Sequence, residues 1–213
     1  MTNTIGRLHV LTDFNLQQLH SHADLAAMAI EGGADVIQFR QKKGSLLDIL
    51  HAAESTAKVC SDLGACLIVN DRVDVAQAVG ADGVHLGQTD MPLKRARKIL
   101  GPKIIIGITA PTKALARRAE QDGADYIGFG PVYETASKST SVPTQGLTAV
   151  LDVSNNITIP VIGIAGITPF RAADVIRAGA HGVAVMSAIS LAEDPVGATR
   201  QFVAAIESVA ARI

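Results

Sequence analysis

The sequence predicts a single (β/α)8 barrel spanning residues 1–213, and three observations carry the prediction. Eight short apolar, β-branched runs recur along the chain, segments with helical spacing of apolar residues lie between them, and a Gly-Ala-Asp triplet returns at the junctions. The runs are LHVLTD (8–13), DVIQFRQ (35–41), CLIVND (66–71), GVHLG (83–87), IIIGIT (104–109), YIGFGPV (126–132), PVIGIAGI (160–167) and GVAVMSAI (182–189). Helical spacing follows in 23–31, LDILHAAESTAKVCSDLG, VDVAQAVG, LKRARKILG, KALARRAEQDG and FRAADVIRAG. Continuous apolar strands joined by crossover helices make a parallel sheet covered on both faces, and eight units close it. The competing doubly wound sheet carries a glycine fingerprint after its first strand, whereas this first strand runs into LTDFNLQQ.

The triplets Gly33-Ala34-Asp35, Gly80-Ala81-Asp82 and Gly123-Ala124-Asp125, with Gly179-Ala180-His181 as a variant, stand 47, 43 and 56 residues apart, about two βα units each. Each Gly suits the left-handed position that closes a helix, and the small Ala lets the chain turn onto the barrel floor. These junctions lie at the N-terminal face and speak to fold, not chemistry.

Composition narrows the function classes. The chain is 48% hydrophobic and 18% charged, which excludes disorder, and 19 Lys+Arg against 20 Asp+Glu leave no basic excess for nucleic acid or an anionic membrane. With 3% aromatic residues and no Trp, stacking platforms for single strands are missing. The mean hydropathy is +0.28, yet the longest uncharged stretch, 153–170, holds two Asn, two Thr and two Pro and makes a poor spanning helix. The N-terminal residues lack the pattern of a secretory signal, so a cytoplasmic location is expected. Cys60 and Cys66 are read as buried free thiols.

In this fold the chemistry sits where the C-terminal ends of the strands meet. Arg40 and Lys42 alternate with Phe39 and Gln41, which aims both cations into the barrel mouth, where they await an anion. Asp71 and Asp90, from neighbouring strands, would repel one another without a counter-ion, and oxygen ligands with no His/Cys cluster favour Mg²⁺. The alternative makes Asp71 the N-cap of the following helix and Asp90 a turn residue before Pro92. Gly163 and Gly166, followed by Ile167-Thr168-Pro169, with Ser187 after the eighth strand, read as a phosphate cradle. Residues 134–146, rich in Ser and Thr, read as a mobile lid carrying Lys138. The histidines form no metal-ligand spacing, and for His85 a structural hydrogen bond competes with a catalytic role. No Ser/His/Asp order, activated Cys or paired-glutamate arrangement stands out, which points to catalysis by positioning and electrostatics.

QFRQK, IVNDRVDVA, GADGVHLGQTDMP, DYIGFGPVYETASK and the GIAGI and VAVMSAI pair, in this order, resemble the thiamine phosphate synthase family from about residue 8 to 190. The resemblance implies condensation of hydroxymethylpyrimidine diphosphate with hydroxyethylthiazole phosphate, giving thiamine phosphate and pyrophosphate with Mg²⁺. It implies a pyrimidine diphosphate site at Gln38, Phe39, Arg40, Gln41, Lys42, Asn70, Thr109 and Lys138, with Arg40, Lys42 and Lys138 neutralising the leaving group. Asp71 and Asp90 match the metal ligands, and Thr135, Ala136, Ser137, Gly166, Met186 and Ser187 match the thiazole phosphate site. Three positions depart from the family pattern: Gln41 stands for the usual Glu, Thr109-Ala110 for Ser and a polar residue, and Ala165-Gly166 for Gly-Gly, where the extra methyl group is expected to crowd the phosphate side. Two other readings stay open on sequence, a thiazole tautomerase of the same barrel family and a non-catalytic sensor of thiamine precursors. The expected partners are phosphorylated small molecules, without nucleic acid or membrane; self-association is left open.

Overall fold

The computed structural model describes residues 5–135 and 142–210. Eight strands, β1 (Leu8–Asp13), β2 (Val36–Arg40), β3 (Cys66–Asn70), β4 (Gly83–Leu86), β5 (Ile105–Thr109), β6 (Tyr126–Phe129), β7 (Val161–Ile164) and β8 (Gly182–Val185), pair in parallel with their sequence neighbours, and β8 pairs with β1 to close the barrel. The helices are α1 (His22–Glu31), α2 (Leu46–Leu63), α3 (Val73–Ala78), α4 (Leu93–Leu100), α5 (Lys113–Asp122), α6 (Gly146–Ser154), α7 (Pro169–Arg177), α8 (Ser187–Ser190) and α9 (Pro195–Ala210). Among the described residues no helix is long and apolar enough to cross a membrane.

Local chemistry sets the helix starts. Ser21 with Asp24 and Ser45 with Asp48 form reciprocal capping boxes at α1 and α2, while Thr112 and Thr168 cap α5 and α7 through their hydroxyls. Several strands end earlier than their apolar runs. The seventh run extends to Ile167, but Ala165 takes φ +82° and turns the chain out of the sheet after Ile164; in the eighth, Ser187 already opens α8.

Strand alternation builds two layers. Outward residues such as Ile37, Phe39, Val69, Leu86, Ile106 and Phe129 join the helices in one core, while Leu11, Val36, Ile68, Ile105, Tyr126 and Ile162 fill the barrel's interior. Burying each such side chain contributes about 1.5–3 kcal/mol. Cys60 is buried and Cys66 half-buried; both thiols are free, and burial pushes each up to about 12, too high for a ready thiolate.

The triplets do more than turn the chain. Gly33, Gly80, Gly123 and Gly179 all have positive φ, and their Ala residues are at most 6% exposed. Asp35 Oδ2 accepts from the N–H of Leu8, Asp82 Oδ2 from Leu67, and Asp125 Oδ2 from Ile106, at 2.7–2.9 Å, so each carboxylate satisfies an amide near the start of the preceding strand. His181 replaces the fourth Asp and has Nε2 2.8 Å from the Ile5 carbonyl oxygen.

Candidate active site

A cavity of about 210 Å³ opens at the C-terminal ends of the strands and reaches into the barrel interior. Gln38 and Arg40 on β2, Asn70 on β3 and Thr109 on β5 line one side; Thr135, Gly166, Met186 and Ser187 line the other. Most stand at or just beyond a strand's C-terminal end, with Gln38 one layer deeper in β2 and Thr135 on the loop after β6, so the register of the closed sheet, not any local motif, gathers them.

The cations come with partners. Arg40 forms an ion pair with Asp13, the last residue of β1 and itself 3% exposed; Asp13 Oδ1 also accepts from the Asn15 N–H at 2.8 Å. Burial lowers the Arg40 guanidinium from its ordinary value, and the charge of Asp71 opposes that shift. Lys42 pairs with Asp71 at the rim. Burial works against the Asp71 charge, yet hydrogen bonds from Lys42 and Asp90 hold its carboxyl below the usual range. Asp90 moves the other way, raised by burial and by Asp71, with which it shares a hydrogen bond. Two carboxylates in contact repel, and a cation beside them relieves the repulsion.

Asp71 has φ +63° and does not cap α3, whose N-terminal residue is preceded by Arg72 without a side-chain cap bond. The capping alternative therefore fails for Asp71. The turn alternative holds in part for Asp90, whose Oδ2 accepts from the Gly87 N–H at 2.7 Å.

Under the cavity runs a chain of polar contacts. His85 Nδ1 lies 3.0 Å from the Tyr126 hydroxyl, and Nε2 lies 2.9 Å from the Thr109 hydroxyl. The Gln88 side-chain amide donates to the Thr109 carbonyl oxygen at 2.5 Å, a second hold on the end of β5. Opposite, Ala165 and Gly166 take φ +82° and +64°, which carries the loop after β7 over the cavity.

The family model described as thiamine monophosphate synthase matches residues 8–189. The chain is 53% identical over 206 residues to the thiamine-phosphate synthase of Salinibacter ruber, covering 97% of this chain and 91% of that protein. It is 47% identical to that of Methanocella arvoryzae, covering 93% and 94%. The chain belongs to the thiamine monophosphate synthase family. A solved thiamine phosphate pyrophosphorylase from Pyrococcus furiosus superposes with a TM-score of 0.89 at 36% identity, covering 98% of both chains. A 3-hexulose-6-phosphate synthase, at 18% identity and a TM-score of 0.69, shares the barrel fold alone. With its family, the chain is a transferase of thiamine biosynthesis.

Within this family member, Lys42, Asp71 and Asp90 stand at the rim and do not line the cavity, and the geometry turns Phe39 and Gln41 away from it. Phe39 is 1% exposed and faces the helices, its ring 4.5 Å from that of His22, because its neighbours on the alternating strand point inward. The Gln41 amide turns to the Lys43 carbonyl oxygen, 3.1 Å away. Ala136, Ser137 and Lys138 lie outside the described residues, as does the centre of the expected lid. The two ends of that loop, Thr135 and Val142, line the cavity, and Gln145 and Gly146 donate their N–H groups to Pro131 and Val132. Sequence reasoning missed Asp13 and Tyr126. Asp13 was legible as the polar end of the first strand; Tyr126 carries no signal beyond an aromatic residue in an apolar run.

Proposed function

We propose that the cavity joins hydroxymethylpyrimidine diphosphate to hydroxyethylthiazole phosphate. The reading is carried by one observation: in a chain of this family, Arg40 and a glycine-bearing loop at Gly166 line one cavity, and the Lys42, Asp71 and Asp90 cluster stands beside Arg40 at its rim. Gln38, Arg40, Lys42, Asn70 and Thr109, with Lys138, hold the diphosphate substrate; Thr135, Ala136, Ser137, Gly166, Met186 and Ser187 hold the thiazole phosphate.

The carbon–oxygen bond to the diphosphate breaks with its electron pair leaving on pyrophosphate, and the electron-rich aminopyrimidine ring stabilises the methylene cation left behind. The thiazole nitrogen lone pair then forms the new carbon–nitrogen bond. That nitrogen carries no proton, so the site has no need of a general base. Charge on the departing pyrophosphate is the main obstacle; Arg40 meets it in the cavity, where low dielectric strengthens the interaction, and Lys42 meets it from the rim. Fixing both substrates by their phosphates converts an encounter into an oriented step.

The donor set suits Mg²⁺. Asp71 and Asp90 offer hard oxygen ligands whose mutual strain a divalent cation relieves, and among the described residues no group of three or more His, Cys, Asp or Glu forms a closed site, which leaves positions for water and diphosphate oxygens. When bound, the ion supplies positive charge to the diphosphate oxygens.

The test is pyrophosphate release by the purified chain, with each substrate and Mg²⁺ omitted in turn. Release that requires all three is expected. Thiazole phosphate binding without release would overturn the condensation and favour a tautomerase or a sensor.

A further inference from the structure

We propose that Arg171 is a positioning residue that sets the loop after β7 for the monophosphate substrate; the inference rests on the assignment of that loop given above. Arg171 stands in the first turn of α7, exposed to solvent, and its side chain folds back over the start of the helix. Nη1 donates to the Gly166 carbonyl oxygen at 2.7 Å, and Cζ lies 4.4 Å from the centroid of the Tyr133 ring. One guanidinium thus ties together two walls of the cavity. Gly166 lines it directly, and Tyr133 begins the segment that reaches the cavity at Thr135.

The two walls are already in close contact. A Cβ on Gly166 would lie 2.3 Å from the Glu134 carbonyl oxygen and 2.7 Å from Tyr133 Cβ, and the Tyr133 N–H donates to the Ala165 carbonyl oxygen at 3.2 Å. Ala165 and Gly166 hold positive φ in succession, a conformation an alanine rarely adopts and one that surrounding contacts must impose. A peptide plane in such a turn has an alternative orientation that exchanges the directions of its C=O and N–H. In a trans peptide these two groups point in opposite directions. By taking the Gly166 carbonyl, Arg171 fixes the Ile167 N–H on the opposite side, and Ile167 lines the cavity. An amide facing an anion binds it, whereas a carbonyl oxygen in its place repels it. The flat guanidinium serves both contacts at once, stacking on the ring while its edge donates.

The experiment uses the full chain with Arg171→Gln, Arg171→Lys, Tyr133→Leu and the Arg171→Gln/Tyr133→Leu double variant. Steady-state kinetics are measured with each substrate varied in turn, alongside calorimetric binding of thiazole phosphate alone and thermal melting. Arg171→Gln is expected to raise the KM and Kd for thiazole phosphate by roughly tenfold, the weight of one charge-assisted hydrogen bond, with the KM for the pyrimidine diphosphate within about twofold of wild type. Tyr133→Leu is expected to act in the same direction, and the double variant to fall short of the product of the single effects. Arg171→Lys keeps the charge but lacks the fork, so its KM is expected to stay several-fold high. Equal rises in both KM values, or a lysine variant equal to wild type, would reduce Arg171 to a long-range charge and overturn the proposal, as would an unchanged glutamine variant. Absence of turnover in the wild type falls on the condensation reading instead, and the thiazole phosphate Kd then still decides the role of Arg171.

Discussion

Tyr126 occupies the space that a side chain on Gly107 would need: a Cβ there would lie 2.1 Å from Cζ of the ring and 2.5 Å from its hydroxyl oxygen. The two residues face each other across the β5–β6 pair, inside the barrel. From that pocket the hydroxyl reaches His85, and His85 reaches Thr109 at the cavity edge. Gly128 makes similar room, since its Cβ would meet His85 Cε1 at 3.0 Å. Gly107→Ala is therefore expected to displace the ring, cost about 1–3 kcal/mol of stability as an overpacked core does, and lower turnover by disturbing Thr109. Urea denaturation with parallel kinetics checks this; wild-type turnover in a destabilised Gly107→Ala protein would show that the polar chain only supports the fold.

Stability should fall in mild acid because two buried histidines are kept neutral. Burial holds His9 down at about 3 and His22 at about 4, against 6.5 for each in the unfolded chain. Between pH 6.5 and those values the unfolded state binds more protons, so protons favour unfolding. Stability is fully present above 6.5 and is lost as pH falls. From pH 7 to pH 5 the loss is about 2 kcal/mol for each histidine. His22→Gln should remove about half of the difference between urea midpoints at the two pH values; a flat wild-type profile would show that neither ring is neutral by burial.

Much of the barrel was legible because buried parallel strands announce themselves as β-branched runs, and the alternation along β2 places Arg40 in the cavity wall and Phe39 against the helices, while Lys42 lies beyond the strand end at the rim. Legibility failed at the strand ends. Nothing in PVIGIAGI says that the sheet stops at Ile164, since Ala165 takes φ +82° and its carbonyl oxygen accepts from Tyr133, a partner 32 residues away in sequence. The Arg40 partner escaped notice for a related reason: pairing β1 with β2 sets Asp13 beside Arg40, a relation of register across 27 residues of sequence. Gly107 and Gly128 carry no marker of their own inside apolar runs, and only the closed sheet shows that Tyr126 and His85 fill the space beside them.

Asp13→Asn should weaken the diphosphate site. It leaves Arg40, which is mostly buried, without its ion partner while preserving the size and one acceptor of the side chain. Breaking a buried pair costs about 3–5 kcal/mol, and an arginine released from its carboxylate loses its fixed orientation. A raised KM for the pyrimidine diphosphate and an unchanged KM for thiazole phosphate are expected. A lowered diphosphate KM would mean instead that Asp13 competes with the substrate for the guanidinium.

At the opposite face of the barrel, Asp82→Ala should separate stability from activity. Its carboxylate accepts from the Leu67 N–H at 2.8 Å, and losing that bond costs about 1 kcal/mol. The N-terminal face carries no chemistry in this fold, so kcat/KM is expected to hold within about twofold. A large fall in kcat/KM below the melting transition would show that the floor of the barrel is coupled to its mouth.

Asp90 distinguishes a metal ligand from a turn residue through two substitutions. Asn at this position keeps an oxygen for the Gly87 N–H but removes the charge that Asp71 and a divalent cation would feel; Ala removes both. If Asp90 holds Mg²⁺, both variants lose turnover by more than about a hundredfold, since a bound cation supplies several kcal/mol of stabilisation to developing charge. Only the alanine variant should also melt lower, by about 1 kcal/mol, for the lost turn bond. Without the charge of Asp90 beside it, the Asp71 and Lys42 pair remains, so the fold at the rim should survive in the asparagine variant. Full turnover of Asp90→Asn at ordinary Mg²⁺ concentrations would strip Asp90 of its metal role and leave it as the residue that closes the turn at Gly87.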